Sequence, residues 1–191
     1  LLPLASAEGR TFITVDGCAL SQDGRSAACG VYKDAGDDID VTDGAMICAR
    51  VSDSSEPGIR IDGGEGVGRV TRKGLEQPVG AAAINRVPRQ MIEAEVRQVC
   101  RQAGYGGGLS VTVWVPQGRE LAEKTFNPHL GIEGGISILG TSGIVEPKSM
   151  QALRESIRLE IRQLAANGAK QLLLTPGHYG EDFVASHLEL A

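Results

Sequence analysis

Aromatic side chains are scarce in this chain, at 4% of residues, so the core rests on Val, Ile, Leu and Ala. No apolar run approaches the roughly 18 residues of a membrane-spanning helix. The opening Leu1-Leu2-Pro3-Leu4-Ala5 is too short, and lacks the basic region, for a secretory leader. A cytoplasmic, reduced protein that engages no membrane is expected. The chain has no initiator Met and reads as a fragment. Its four cysteines, Cys18, Cys29, Cys48 and Cys100, never fall in a Cys-x-x-Cys pair, which argues against zinc. Three histidines, His129, His178 and His187, are too dispersed to predict a ligand set, and no metal site is expected. Net charge is −5, without the clustered basic surface that nucleic acid needs, so no nucleic-acid partner is expected. There is no Gly-x-Ser-x-Gly elbow and no phosphate-binding P-loop.

What the chain does have is glycine, 26 residues of it in 191. The densest run is Ile61-Asp62-Gly63-Gly64-Glu65-Gly66-Val67-Gly68-Arg69-Val70-Thr71, where strand-like residues flank four glycines and Glu65. Backbone without Cβ atoms approaches a ligand closely, and successive amides in such a loop form a concave nest for an anion. A glycine-rich hairpin or bulge is the plainer reading. The dinucleotide fingerprint does not fit, because Arg69 stands where its third glycine belongs.

Around that run the pattern is mixed. Thr11 to Val15, Ser26 to Lys33, Ala45 to Ser52, Gly58 to Asp62 and Val67 to Arg72 read as strands, punctuated by turn signals at Asp16-Gly17, Asp23-Gly24 and Asp53 to Gly58. A helix follows, capped by Asn85 or a neighbour, with Pro88 in its first turn and Ile92, Val96, Val99 and Ala103 as its stripe; Gly104 stops it. In the strand Leu109 to Val115, Val111, Val113 and Val115 share one face. A functional loop is expected over 116–148. A helix from Ser149 to about Asn167 carries Leu153, Ile157, Ile161 and Leu164. A strand at Gln171 to Thr175, the turn Pro176 to Gly180 and a last helix from about Glu181 complete the chain. The expected class is α+β: an N-terminal mixed or antiparallel sheet with packed helices over residues 1–148, then the start of an α/β unit over 149–191.

Two further segments bear on chemistry. Lys33 to Gly44 holds five aspartates, Asp34, Asp37, Asp38, Asp40 and Asp43. It lacks the spacing of a calcium loop, and is either a solvated turn or a carboxylate set for ligand hydroxyls or a cation such as a sulfonium. Gly131 to Gly143 ends in Gly140-Thr141-Ser142-Gly143, a tight turn or a cradle for carboxylate or phosphate oxygens.

Six stretches taken in order resemble the cobalt-precorrin-5B C1-methyltransferase family of anaerobic cobalamin biosynthesis: Lys33 to Thr42, Gly63 to Thr71, Ala83-Ile84-Asn85-Arg86-Val87-Pro88-Arg89, Lys124-Thr125-Phe126-Asn127, Gly131 to Pro147, and Thr175 to Glu181. The family's opening Thr-Thr-Gly-x-Cys segment has no counterpart here, and its later βα units lie beyond the last residue. The chain therefore resembles the middle half of a member. The resemblance implies methyl transfer from S-adenosylmethionine, as cosubstrate, to C1 of a tetrapyrrole whose cobalt arrives with the substrate. It implies Asp34, Asp37, Asp38 and Glu65 for orienting the donor or taking the proton. It implies Gly63, Gly64, Gly66, Gly68, Arg69, Asn85, Arg86, Arg89, Lys124, Thr125, Asn127, Gly134, Gly135, Ser137, Gly140, Thr141, Gly177 and Glu181 for binding, with Arg72 and Lys73 as further partners of the substrate's carboxylate arms. A non-catalytic tetrapyrrole- or anion-binding module, or a purely structural domain, is the alternative.

Overall fold

A computed structural model describes residues 2–6, 9–36, 40–140, 150–174, 180, 183, 184, 186 and 187. Its centre is a five-stranded sheet of β3 (Asp16–Leu20), β4 (Ser26–Tyr32), β5 (Met46–Ser54), β9 (Gly108–Trp114) and β6 (Ile59–Gly63), in the order β3-β4-β5-β9-β6. All pairs are antiparallel except β6 with β9. The architecture is the expected α+β mixed sheet. β1 (Leu2–Ser6) and β2 (Gly9–Ile13) form a separate hairpin. Asp16-Gly17, expected as a turn between strands, lies instead within β3: the register slips between Asp16 and Cys18, and Gly17 takes the positive φ of 65° that such a bulge favours.

The parallel pair needs a crossover, and residues 64–107 supply it. This stretch holds two very short strands, β7 (Gly66–Val67) and β8 (Arg69–Val70), and helix α1 (Arg86–Ala103). After β9 come α2 (Gly118–Ala122), β10 (Ile132–Glu133), β11 (Gly135–Ile136) and α3 (Met150–Ala166). β11 pairs in parallel with β7, and β10 antiparallel with β8, so the loop after β9 is stitched directly to the glycine run. Single bridges Arg69↔Ala82 and Ile84↔Ile138 widen this into a patch of short extended segments.

Between the patch and the large sheet lies the core. Val111, Val113 and Val115 are all buried, as their alternation predicts, and Val113 and Val115 cluster with Val67, Ile84 and Ile136. Ile84 and Val115 are completely buried, each stabilising the fold by about 1.5–3 kcal/mol relative to exposure. Ile92 of α1 packs on the same cluster, whereas Val99 is exposed, so only the first half of the predicted stripe is covered. The end of α1 is as expected: Gly104 is left-handed, with φ 64°, and its N–H returns to Arg101 O.

The C-terminal third departs from the sequence pattern. Among the described side chains of α3 the one with the deepest burial is polar: Gln163 donates to Leu130 O, while Ile157 and Leu164 are exposed. The strand expected at Gln171 to Thr175 is not formed over 171–174, which is irregular and leaves Leu172, Leu173 and Leu174 in solvent. A strand needs a hydrogen-bonded neighbour, and the described residues pair none with it.

Candidate functional site

The glycine run sits where β6 and β9 end together, with Gly63 opposite Val113. Its glycines face protein. A Cβ on Gly66 would lie 1.8 Å from Val115 O, one on Gly68 2.4 Å from Ile132, and one on Gly63 2.6 Å from Val67. On Gly64 it would touch Thr112 and Trp114 at 3.1 and 3.2 Å. Gly135 completes the arrangement, its own Cβ position lying 2.2 Å from Gly66. The amides are committed as well: Gly63 N–H donates to Asp62 Oδ1, Gly64 N–H to Val113 O and Gly68 N–H to Ile136 O. The anion nest is therefore not formed by these groups. Missing side chains here let the chain pack against itself.

Side chains at the surface of the run carry its chemistry. Arg69 grips Asp62 through two bonds, 2.7 and 3.1 Å, and also donates to Gly63 O. That guanidinium, against an opposing burial effect, holds the Asp62 carboxyl below the usual carboxylate range. Glu65 is exposed beside it. Arg86 pairs with Glu76, whose other oxygen accepts the Arg86 N–H at 3.3 Å; Asn85 occupies the N-cap but makes no side-chain cap bond. Arg89 donates to Ile61 O, Ile84 O and Ala82 O, tying helix, strand and crossover together. Of the expected cationic contacts, Arg69, Arg86 and Arg89 are thus engaged within the protein.

Three others have a different setting. The segment at 71–74 lies against the turn at 124–131: Thr71 N–H bonds Gly131 O at 2.8 Å, and Arg72 crosses Gly131 to reach His129 O. No carboxylate among the described residues pairs with Arg72, Lys73 or Lys124. Phe126 and Leu139 stand exposed on the same stretch of chain. Asn127, next to Phe126 in the chain, is buried, donating to Gly135 O at 3.0 Å and accepting from Ser137 Oγ at 3.1 Å. Thr125 closes its own turn on Ala122 O. Asn85, Asn127 and Ser137 meet Leu130, Leu139 and Leu159 around a cavity of about 50 Å³, room for a water or two. Gly134 and Gly140 have open space where a Cβ would sit.

The acidic loop satisfies itself. Asp34 accepts Gly36 N–H, Asp43 accepts Ala35 N–H, and Asp40 takes Lys33 and Thr42. Burial pushes the Asp40 carboxyl up, but those donors outweigh it and leave it lowered. Among the described residues no cluster of His, Cys, Asp or Glu has a metal-binding arrangement. Asp37, Asp38, Thr141, Gly177 and Glu181 lie outside the described residues.

A family model described as CbiD matches residues 4–147, three quarters of the chain. The chain belongs to the CbiD family. Relatives named cobalt-precorrin-5B C(1)-methyltransferase include those of Ruminiclostridium cellulolyticum, 53% identical over 163 residues, and Geobacillus thermodenitrificans, 52% identical over 171 residues. The matches cover 85% and 90% of this chain but only 42% and 46% of those proteins, so the chain spans less than half of their length. A crystal structure of the cobalamin biosynthesis protein CbiD from Archaeoglobus fulgidus superposes with a TM-score of 0.56 at 29% identity, covering 83% of this chain and 49% of that one.

In this CbiD chain, sequence reasoning passed over Asp62 and Glu76, the carboxylates that occupy Arg69 and Arg86. Asp62 carried a usable signal, an acid immediately before a glycine pair with an arginine seven residues on. Glu76 carried none, because its partner is reached only through the fold. No described helix is long and apolar enough to cross a membrane.

Proposed function

We propose that this chain supplies the substrate-facing part of a cytoplasmic enzyme that transfers a methyl group from S-adenosylmethionine to C1 of cobalt-precorrin-5B, giving cobalt-precorrin-6A. The observation that carries this reading is the surface at 71–74 and 124–139. It combines Arg72, Lys73 and Lys124, cations with no carboxylate partner among the described residues, with exposed Phe126 and Leu139. A ring-contracted tetrapyrrole is a broad apolar ring fringed with carboxylate arms, and matches both halves of that surface. The relatives' name supplies the identity of the acceptor.

S-adenosylmethionine supplies an electrophilic methyl on a sulfonium: the ring carbon bonds the methyl as the carbon–sulfur bond breaks, leaving a neutral thioether. Such a displacement asks the protein for alignment and exclusion of water. Arg72, Lys73 and Lys124 hold the arms; the exposed carboxylates Asp34 and Glu65 face the sulfonium or take the proton lost from the ring, with Asp37 and Asp38 as further candidates. A cavity of about 50 Å³ does not enclose a tetrapyrrole, so the ring lies on an open face of these residues. The division into residues 1–148 and a second α/β unit from 149 onward belongs to the same proposal. Solvent-exposed Leu172, Leu173 and Leu174 support it, since an apolar run in water calls for a covering layer.

An anaerobic single-turnover assay tests the proposal. Cobalt-precorrin-5B and S-adenosylmethionine are supplied to a full-length protein of the family carrying this segment, and product mass is read. A gain of one methyl group, slowed when the counterparts of Arg72 and Lys124 are changed to Ala, is expected. Unchanged turnover in those variants would remove this surface from the reaction.

A further inference from the structure

Two thiols face each other across the sheet. In the β3–β4 ladder Cys18 is the direct partner of Cys29. Directly opposed residues of an antiparallel pair have Cα atoms about 4.5–5.5 Å apart and project their side chains to the same face. That spacing lies within the Cα range of a disulfide, about 4.4–6.8 Å. The bulge at Gly17, adjacent to Cys18, gives the edge strand local freedom to close the remaining gap.

The register also selects the pair. Cys48 of β5 lies opposite Gly30, one residue beyond Cys29, so it projects to the other face of the sheet. A Cβ on Gly30 would in fact touch Cys48 Sγ at 3.2 Å, which places the Cys48 thiol on the Gly30 side. Cys48 is also buried, whereas Cys18 is exposed and Cys29 half-buried. Cys100 lies in α1, which contacts β6 at the opposite edge of the sheet. The proximity of Cys18 is felt in the ionisation of Cys29: burial pushes the Cys29 thiol up, and the charge and hydrogen bond of Cys18, then the charge of Cys48, add to it.

We propose that Cys18 and Cys29 are a redox-modification site, forming a reversible cross-strand disulfide that pins the edge strand β3 to β4. The oxidant is a low-molecular-weight disulfide. The Cys18 thiolate attacks one of its sulfurs, forming a mixed disulfide and releasing one small thiol. The Cys29 thiolate then attacks the Cys18 sulfur and releases the second. Two protein thiols and one small disulfide become one protein disulfide and two small thiols; both electrons pass to the reagent, and the two protein protons end on the released thiols. The exposed member receives the reagent and the half-buried one resolves it, the order that accessibility imposes.

Trypsin separates the partners, because cleavage after Arg10, Arg25 and Lys33 places Cys18 in the peptide 11–25 and Cys29 in 26–33. The folded protein is equilibrated in buffers of oxidised and reduced glutathione, trapped with an alkylating agent, digested and analysed by mass. The expected result is a linked pair of peptides 11–25 and 26–33, two thiols lost per chain, and Cys48 alkylated only after unfolding. Cys18→Ser, an exposed substitution, abolishes the linked pair and leaves Cys29 reduced. A linkage of Cys29 to Cys48, a Cys18–Cys18 link between two chains as the main product, or no linked peptide under oxidising glutathione would each overturn the proposal.

Discussion

Replacing Gly66 by Ala tests whether the glycine run is packed interior or open cradle. Gly66 has φ 71°, a conformation that costs an L-residue about 1–2 kcal/mol. The added Cβ would stand 1.8 Å from Val115 O and 3.1 Å from Gly118 Cα, so the strand ends must part. Overpacking of this kind costs about 1–3 kcal/mol. Parting also disturbs the bonds from Val115 N–H to Glu65 O and from Gly118 N–H to Val115 O, each worth about 0.5–1.5 kcal/mol. The sum is about 3–8 kcal/mol, a large share of the roughly 5–15 kcal/mol that holds an ordinary domain together. Gly134→Ala is the control: φ is again positive, at 81°, but nothing lies within 4 Å of the new Cβ, so only the conformational cost of about 1–2 kcal/mol remains. Urea unfolding followed by the fluorescence of Trp114, the only tryptophan, measures both. Equal losses in the two variants would refute the packing argument and return the run to the role of an open loop.

Three more substitutions separate structural from ligand-facing roles. Arg89→Met removes the donor to Ile61 O, Ile84 O and Ala82 O and is expected to lower unfolding free energy by about 2–4 kcal/mol in the same urea assay; a loss under about 0.5 kcal/mol would show those carbonyls satisfied otherwise. Asn127→Ala leaves Gly135 O and the Ser137 hydroxyl without their buried partner, for about 1–3 kcal/mol, read from the denaturation midpoint. Asp62→Asn acts through pH. Because Arg69 lowers the folded carboxyl below its reference value of 3.8, the pair's contribution is complete above that value and is lost as pH falls through the folded one. The pair is largely exposed, so the expected difference is under about 1 kcal/mol at neutral pH, vanishing in strong acid; a difference that grew on acidification would contradict it.

Much of the frame was legible because local pattern and final burial coincide. Val111, Val113 and Val115 alternate in sequence and in the core, and Gly104 ends α1 as its position demands. The failures have a common cause in contacts that close over long sequence separations. Gly66 reads identically whether its missing Cβ admits a ligand or admits Val115 and Gly118; the decision lies some fifty residues away. Arg86 and Arg89 resemble free cations until Glu76 and three carbonyls are brought to them. Among the described side chains of α3 it is Gln163 that is buried, held by its bond to the Leu130 carbonyl, while Ile157 and Leu164 stay exposed; that partner lies over thirty residues away in sequence. In the candidate site the resembling segments were recognisable, but which of their side chains face solvent was not.

The most direct test of the substrate-facing surface is an anaerobic titration of cobalt-precorrin-5B with this chain, read from the tetrapyrrole's visible absorbance. Arg72→Ala, Lys73→Ala and Lys124→Ala are compared with Arg25→Ala, which lies in the β3–β4 turn and pairs with Asp53. Loss of a charge-assisted contact to a carboxylate arm is worth about 1.5–3 kcal/mol, so each of the first three is expected to weaken binding by about 10- to 150-fold, with Arg25→Ala unchanged. Equal affinity across all four variants, or a loss confined to Arg25→Ala, would contradict the account.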